Sequence, residues 1–79
     1  MRGKASFPLV EARAGQRVRV KGINGGRRLW ARMAALGIYP GVELELLCSG
    51  YRGPCLIRIH GSTVSLGAGV SRKIVVEPS

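Results

Sequence analysis

Residues 29–46 read L-W-A-R-M-A-A-L-G-I-Y-P-G-V-E-L-E-L, and their hydrophobic period changes partway along. In the first half, the apolar residues Leu29, Met33 and Leu36 are spaced as on one face of a helix. In the second half, the apolar residues Val42, Leu44 and Leu46 alternate with glutamates, as in a half-buried strand. Between the halves, Gly37 favours the left-handed conformation that ends a helix, and Pro40-Gly41 favours a tight turn. The segment therefore predicts one short helix, over residues 27–36, that leads directly into a strand.

The rest of the chain consists of short apolar stretches separated by glycine-rich turns. We expect a loose arm over residues 1–8, a docked Leu9 and Val10, and a strand over residues 17–21 that Gly22 interrupts. Asn24 is a candidate cap for the helix. The remaining predicted elements are strands over residues 42–48, 55–60, 63–66 and 74–76, with a flexible corner at residues 67–70. Five strands and one helix predict a small barrel or sandwich over residues 9–79.

The second and third strands are expected to form a hairpin whose register follows from matched side chains. Setting Cys48 opposite Cys55 places both thiols on the inner face and pairs Leu46 with Ile57. The outer face then pairs residues of matched character: Glu45 with Arg58, Glu43 with His60, and Leu47 with Leu56.

Size and composition predict a cytoplasmic protein. The chain has 79 residues and is 46% hydrophobic with few aromatic residues, which is enough for one small domain. It contains no apolar run of the roughly 18 residues that a membrane helix needs. Its start does not resemble a secretory signal. The two cysteines, Cys48 and Cys55, match no metal-ligand spacing and are expected to be reduced thiols.

The net charge of +9 is distributed unevenly. Nine basic residues and one acidic residue precede Gly37, whereas four basic and three acidic residues follow it. Such an excess implies an acidic counterpart, which is nucleic acid, an anionic membrane surface or an acidic protein face. A solvated surface with a high isoelectric point is the alternative reading.

Catalysis finds little support in the residues. The chain has no aspartate and one histidine, and no pair of acids stands in a cleft-like segment. No P-loop or dinucleotide motif occurs, so we predict no enzyme activity, no catalytic residue and no cofactor. Alternation puts His60 on the opposite face from the cysteines, so no metal site is predicted either. A metal-binding accessory stays as an alternative, through His60 with Glu43.

RNA binding is a further alternative. Residues 15–22, followed by Asn24-Gly25-Gly26, resemble the KOW element of ribosomal and transcription-factor barrels, whose basic strand and glycine turn face RNA. Two observations disfavour it. A helix follows the glycine turn where a KOW unit has a strand, and no aromatic residues alternate along a strand to stack bases.

The predicted helix carries a candidate partner surface. Trp30 lies about 100° from the apolar face on the helix wheel and is flanked by Arg27 and Arg28. Tryptophan beside arginine is typical of an interface anchor, although the ring could instead cover the edge of the barrel. The predicted partner-binding residues are Arg17, Arg19, Lys21, Arg27, Arg28, Trp30 and Arg32. Weak self-association, through Trp30 or through Leu47 and Leu56, stays open.

From Leu9 onward the chain resembles the FeoA family of bacterial ferrous iron uptake. Its pattern is a leading strand, a short helix, L-G-hydrophobic-x-P-G, a hairpin and a final I-x-V strand. The residues that carry it are Val18, Val20, residues 29–33, residues 36–41, Pro54, Ile57, Ile59, Gly61, residues 64–66 and residues 74–76. The family often has a short helix after the Val-x-Leu strand, and here Gly67-Ala68-Gly69-Val70-Ser71 stands in its place.

The resemblance implies an SH3-like β-barrel of about five strands with one short inserted α-helix. It also implies a cytosolic adaptor that contacts the GTPase-bearing cytosolic region of the membrane permease FeoB. Recruitment to the anionic inner face of the membrane is a second expectation, which follows from the charge. Nucleic acid is the disfavoured partner.

Overall fold

The structure, a computed structural model, describes residues 5–48 and 53–79. Its strands are β1 (Phe7–Pro8), β2 (Arg17–Ile23), β3 (Glu43–Cys48), β4 (Cys55–Ile59), β5 (Ser62–Leu66) and β6 (Ile74–Pro78). Its helices are α1 (Arg27–Ala35) and α2 (Ala68–Ser71), and a 3-10 turn covers Leu9–Glu11. All neighbouring strands are antiparallel, in the order β1-β6-β2-β3-β4-β5. The mainly β fold with a helix inserted after the leading strand is as predicted.

Alternation along the central strands builds the core. Each strand turns branched aliphatic residues inward, as in the buried pairs Val18 and Val20 of β2 and Leu44 and Leu46 of β3. The apolar residues of the described chain with no more than 6% exposure are Leu9, Ala12, Val18, Val20, Ile23, Met33, Ile38, Leu44, Leu46, Cys55, Ile57, Ile59, Leu66, Ile74 and Val76. Burial of this set is the main stabilising contribution, because apolar area removed from water scales with free energy.

Helix α1 ends as the sequence predicts. Gly37 has φ of +86°, its N–H donates to the Ala34 carbonyl at 2.9 Å, and the Ile38 N–H donates to the Met33 carbonyl at 2.8 Å. These two bonds form a Schellman motif, which leaves Ile38 beside Met33 in the core. Leu36, predicted to be core, is 41% exposed. It is the C-cap residue, and Ile38 occupies the buried position beyond it.

The start of α1 differs from the prediction. Gly26 is the N-cap, with extended backbone and no side-chain hydrogen bond, so the assignment of a capping role to Asn24 is wrong. Strand β2 also continues through Gly22 to Ile23, with a register shift between Val20 and Gly22 against β6. A bulge accommodates one extra residue in β2, so its pairing with β6 shifts by one residue while the strand itself continues.

Two segments that were predicted to be loose contain regular secondary structure. Phe7 and Pro8 pair with Val76 and Val75 of β6, so the expectation of a loose arm over residues 1–8 is wrong for these two residues. Residues 1–4 lie outside the described part of the chain. The expected flexible corner at residues 67–70 is instead the start of α2, in which buried Ser71 donates its hydroxyl to the Gly67 carbonyl at 3.0 Å.

The β3–β4 hairpin confirms one half of the predicted register and contradicts the other. Glu45 lies opposite Arg58 and Leu46 opposite Ile57, as expected. A shift after Leu46 then sets Cys48 opposite Leu56 instead of Cys55. Cys48 is therefore exposed, whereas Cys55 is buried. The predicted turn around residues 49–54 lies partly outside the described residues.

Candidate protein-interaction surface

The cations of β2 face outward, opposite carboxylates on both neighbouring strands. Arg17 lies across from Glu45 on β3, and Arg19 lies across from Glu43 on the same strand. Arg19 also lies across from Glu77 on β6. Three of the four acidic residues in the chain are thus adjacent to this strand. Opposite charges at cross-strand positions attract, so the positive charge of β2 is largely compensated.

Two of these contacts are ion pairs of the Arg19 guanidinium. Its Nη2 donates to Glu43 Oε2 at 2.7 Å, and its Nη1 lies 3.8 Å from Glu77 Oε2. Lys21 Nζ lies 3.8 Å from Glu77 Oε1. The hydrogen bond from Arg19, with a smaller contribution from Ser79, lowers the pKa of Glu43, because both bonds stabilise the ionised carboxylate.

The arginines of α1 stand in a different electrostatic setting. Arg27, Arg28 and Arg32 are exposed, and none has a carboxylate partner within 4.0 Å in the part of the chain that the structure describes. The first turn of α1 also lacks acidic residues. Cations in that turn oppose the helix dipole, so Arg27 and Arg28 disfavour the helix that carries them. Residues that break a local rule in this way are often kept for binding.

Trp30 lies on the other flank of α1. It is 39% exposed, and at 3.6 residues per turn it stands about 160° around the helix from Arg28 and Arg32. Leu29 and Met33 lie between the two flanks and face the core. The seven residues predicted to bind a partner are therefore divided among the outward face of β2 and two opposite flanks of α1.

The candidate metal ligands do not meet. Glu43 bonds to Arg19 rather than to His60, so the predicted Glu43–His60 pair is wrong. His60 lies in the β4–β5 turn with φ of +52°, and its Nε2 is 3.4 Å from the Gly37 carbonyl oxygen. Among residues 5–48 and 53–79, no three histidine, cysteine or acidic side chains are grouped to hold a metal ion.

One cation near α1 escaped the sequence analysis. Lys73 lies between α2 and β6, and its carbonyl accepts the N–H of Asn24 at 2.7 Å. This bond holds the α2 end against the start of α1, where Lys73, Arg28 and Arg32 line one groove. Neither spacing nor periodicity connects residues so far apart in the chain, so no sequence signal pointed to Lys73.

Comparison with known proteins assigns the chain to a family. The family model of the FeoA domain matches residues 7–78, which is nearly all of the described chain. The chain belongs to the FeoA domain family. This is a family of ferrous iron transport accessory proteins, and its SH3-like fold is the one predicted.

Individual relatives agree with the family assignment. The chain is 35% identical over 71 residues to the "Putative Fe(2+) transport protein A" of Methanocaldococcus jannaschii, covering 90% of this chain and 85% of that protein. A crystal structure described as an iron uptake regulatory protein (FeoA) is 27% identical, with a TM-score of 0.89 over 95% of this chain and all of that one.

The same fold occurs inside larger proteins. A manganese-dependent transcriptional repressor matches with a TM-score of 0.86 and 22% identity, over all of this chain and 45% of the repressor. At this identity the likeness concerns the fold alone.

Neither helix in the described residues of the FeoA-family chain is long and apolar enough to cross a membrane.

Proposed function

We propose that this FeoA-family protein is a cytoplasmic adaptor of ferrous iron uptake, which acts by binding the GTPase-bearing cytosolic region of a FeoB-like permease. The observation that carries the proposal is the cluster of α1 arginines without acidic partners in the described chain. Of the seven residues predicted to bind, Arg27, Arg28 and Arg32 are the cations that have neither a carboxylate within 4.0 Å in the described chain nor one opposite them across the sheet. The contact is therefore assigned to α1, and the paired cations of β2 have a secondary role.

Electrostatics gives this contact its speed and orientation. Unpaired arginines on one helix attract an acidic face of the permease region and raise the association rate, an effect that salt screens. The same charge draws the domain toward the anionic inner leaflet, where the permease lies. The adaptor needs no catalytic group for this role, because it contributes only binding.

The first test is an NMR titration of the isotope-labelled protein with the purified cytosolic region of the permease. We expect localised shifts on α1 that weaken as salt increases. A parallel titration with RNA tests the alternative function, since a KOW-like strand should give strong, salt-dependent binding. Tight RNA binding without any response to the permease region would overturn the proposed function.

A charge-matched pair of variants then locates the contact. The variant Arg27→Glu/Arg28→Glu/Arg32→Glu is compared with the control Arg13→Glu/Arg58→Glu/Arg72→Glu, whose three arginines are exposed and lie outside the predicted partner-binding set. Each set reverses three charges and so lowers the net charge by six, from +9 to +3. At low salt, we expect the association rate of the α1 variant to be lower than that of the control by about tenfold or more. Equal rates would contradict a contact made by α1.

A further inference from the structure

A groove runs between α1 and α2, on the flank of α1 away from Trp30. Its volume is about 570 Å³, within the range of about 300–1,000 Å³ that is typical of binding pockets. Three cations, Arg28, Arg32 and Lys73, form its rim. Two aliphatic side chains, Leu29 and Val70, form its floor, where they are partly buried and pack against the core. We call this feature the cationic groove.

The cationic groove has room for another polypeptide backbone. Gly26 and Gly69 also line it, and a Cβ placed on either glycine would meet no atom within 4 Å. Absent side chains at both walls permit close approach of a second chain. The groove is also held open in advance, since the bond from Asn24 to the Lys73 carbonyl links its two walls. Such preorganisation lowers the entropic cost of binding.

The charge of the groove has no partner within the described chain. No carboxylate lies within 4.0 Å of the three rim cations among residues 5–48 and 53–79. The acids Glu43, Glu45 and Glu77 are adjacent to β2 instead. The rim therefore keeps its positive charge for a ligand from outside.

We propose that the cationic groove binds an acidic peptide segment of the partner that carries one aliphatic side chain between carboxylates. The aliphatic side chain covers Leu29 and Val70, and the flanking carboxylates pair with Arg28, Arg32 and Lys73. Arginine accepts carboxylates in a bidentate geometry, which adds orientation to the attraction. This inference deepens the proposed function, on which it rests for the identity of the partner.

Other anionic ligands fit the groove less well. Nucleic acid binding to single strands depends on aromatic side chains that stack bases, and the described lining contains none. Inorganic phosphate or a lipid headgroup would satisfy the rim cations and leave the apolar floor uncovered. A peptide with a carboxylate–aliphatic–carboxylate pattern satisfies both parts at once.

The test uses the isotope-labelled 79-residue protein and a defined probe, the capped peptide acetyl-Glu-Glu-Leu-Glu-Glu-amide. We expect shifts concentrated at the rim and floor residues of the cationic groove. Replacing the leucine of the probe by serine should weaken binding about tenfold, because the buried apolar contact is lost. Inorganic phosphate and vesicles containing phosphatidylserine serve as the competing anions.

Matched variants separate loss of binding from loss of folding. Arg28→Glu/Lys73→Glu should abolish peptide binding, and Arg13→Glu/Arg58→Glu, with the same change in net charge, should retain it. Arg28→Glu places an acid in the first turn of α1, where it favours the helix. A second variant, Gly69→Glu, supplies a carboxylate inside the groove and should also block the peptide while the rim cations stay in place.

The outcomes divide cleanly. Equal binding of the leucine and serine peptides, equal shifts with phosphate or vesicles, or retained binding by Arg28→Glu/Lys73→Glu would each overturn the groove inference. If the permease region binds and the peptide does not compete, the proposed function stands and the groove inference falls. If the peptide binds the groove and the permease region does not bind the protein, the groove inference stands and the proposed function falls.

Discussion

The ring of His60 packs against the backbone of Gly37, and this contact links the β4–β5 turn to the end of α1. A Cβ placed on Gly37 would lie 2.7 Å from His60 Cδ2 and 2.8 Å from Nε2. Gly37 also has φ of +86°, a conformation that other residues rarely adopt. Glycine is therefore required at this position for two independent reasons, one local and one tertiary.

Gly37→Ala should destabilise the protein by at least about 1–2 kcal/mol, the cost of a left-handed backbone for a residue with a Cβ. Urea unfolding followed by circular dichroism measures the loss. Adding His60→Ala removes the close contact and should recover only part of it. The control is Gly69→Ala, which lies in α2 in open space and should be neutral or slightly stabilising. Equal effects of Gly37→Ala and Gly69→Ala would refute the argument.

Met33→Ala and Leu36→Ala should differ strongly, although both residues belong to the predicted apolar face of the helix. Met33 is 1% exposed and Leu36 is 41% exposed. Truncation of Met33 should cost about 2–5 kcal/mol, and truncation of Leu36 less than about 1 kcal/mol. Urea midpoints measure both. If Met33→Ala fails to fold, Met33→Leu, which keeps the volume, should cost less than about 1.5 kcal/mol. A large effect of Leu36→Ala would contradict the assigned orientation of α1.

The ion pair of Glu43 predicts a pH dependence of stability. The pKa of the Glu43 carboxyl is lower in the folded protein than the usual value for glutamate, so the unfolded chain binds the proton more tightly than the folded protein does. The contribution is therefore present above the ordinary carboxyl pKa and lost as the pH falls through the folded pKa. Glu43→Gln should be less stable than the wild type near neutral pH, and the difference should vanish in acid. Because the pair is exposed, the effect should be small and reduced by salt.

A direct titration identifies the cause of that shift. Carbon-13 NMR of the Glu43 carboxyl should show its pKa rising toward the ordinary value in Arg19→Gln, because Arg19 makes the largest contribution. An unchanged titration in that variant would exclude Arg19 as the cause.

The two thiols should react differently. Cys48 is exposed and Cys55 is buried, so a thiol reagent should label one equivalent in the folded protein and two after unfolding. Cys48→Ser should abolish the rapid labelling, and Cys55→Ala should leave it intact. Two rapidly labelled thiols in the native protein would contradict the burial of Cys55, and no rapid labelling would contradict the bulge that separates Cys48 from the inward register.

Prediction from sequence succeeded where the deciding interactions are local. Alternation identified the buried Val18 and Val20, and the left-handed Gly37 correctly ended α1. Both depend on residues within one turn or one strand. It failed at Cys48, because a bulge after Leu46 shifts the register by one residue, and no side-chain pattern marks a bulge in advance.

Glu43 illustrates a second reason for failure. The hairpin makes β4 the nearest strand in sequence, so His60 was the expected partner. In the sheet β3 lies between β2 and β4, and Arg19 of β2 takes the carboxylate instead. The ion-pair partner of a residue on a central strand depends on the strand order of the whole sheet, and the sequence of one hairpin does not reveal that order.

The amino-acid sequence by itself determined the mainly β architecture, the place and the end of helix α1, and the excess of cations in the first half. These follow from periodicity, glycine conformation and composition, all of which act over a few residues. Only the tertiary structure decided which cations are free. Long-range pairing places Glu43, Glu45 and Glu77 against β2 and holds Lys73 beside α1, so the cations of β2 face carboxylates, whereas those of the helix and its groove have none within 4.0 Å in the described chain.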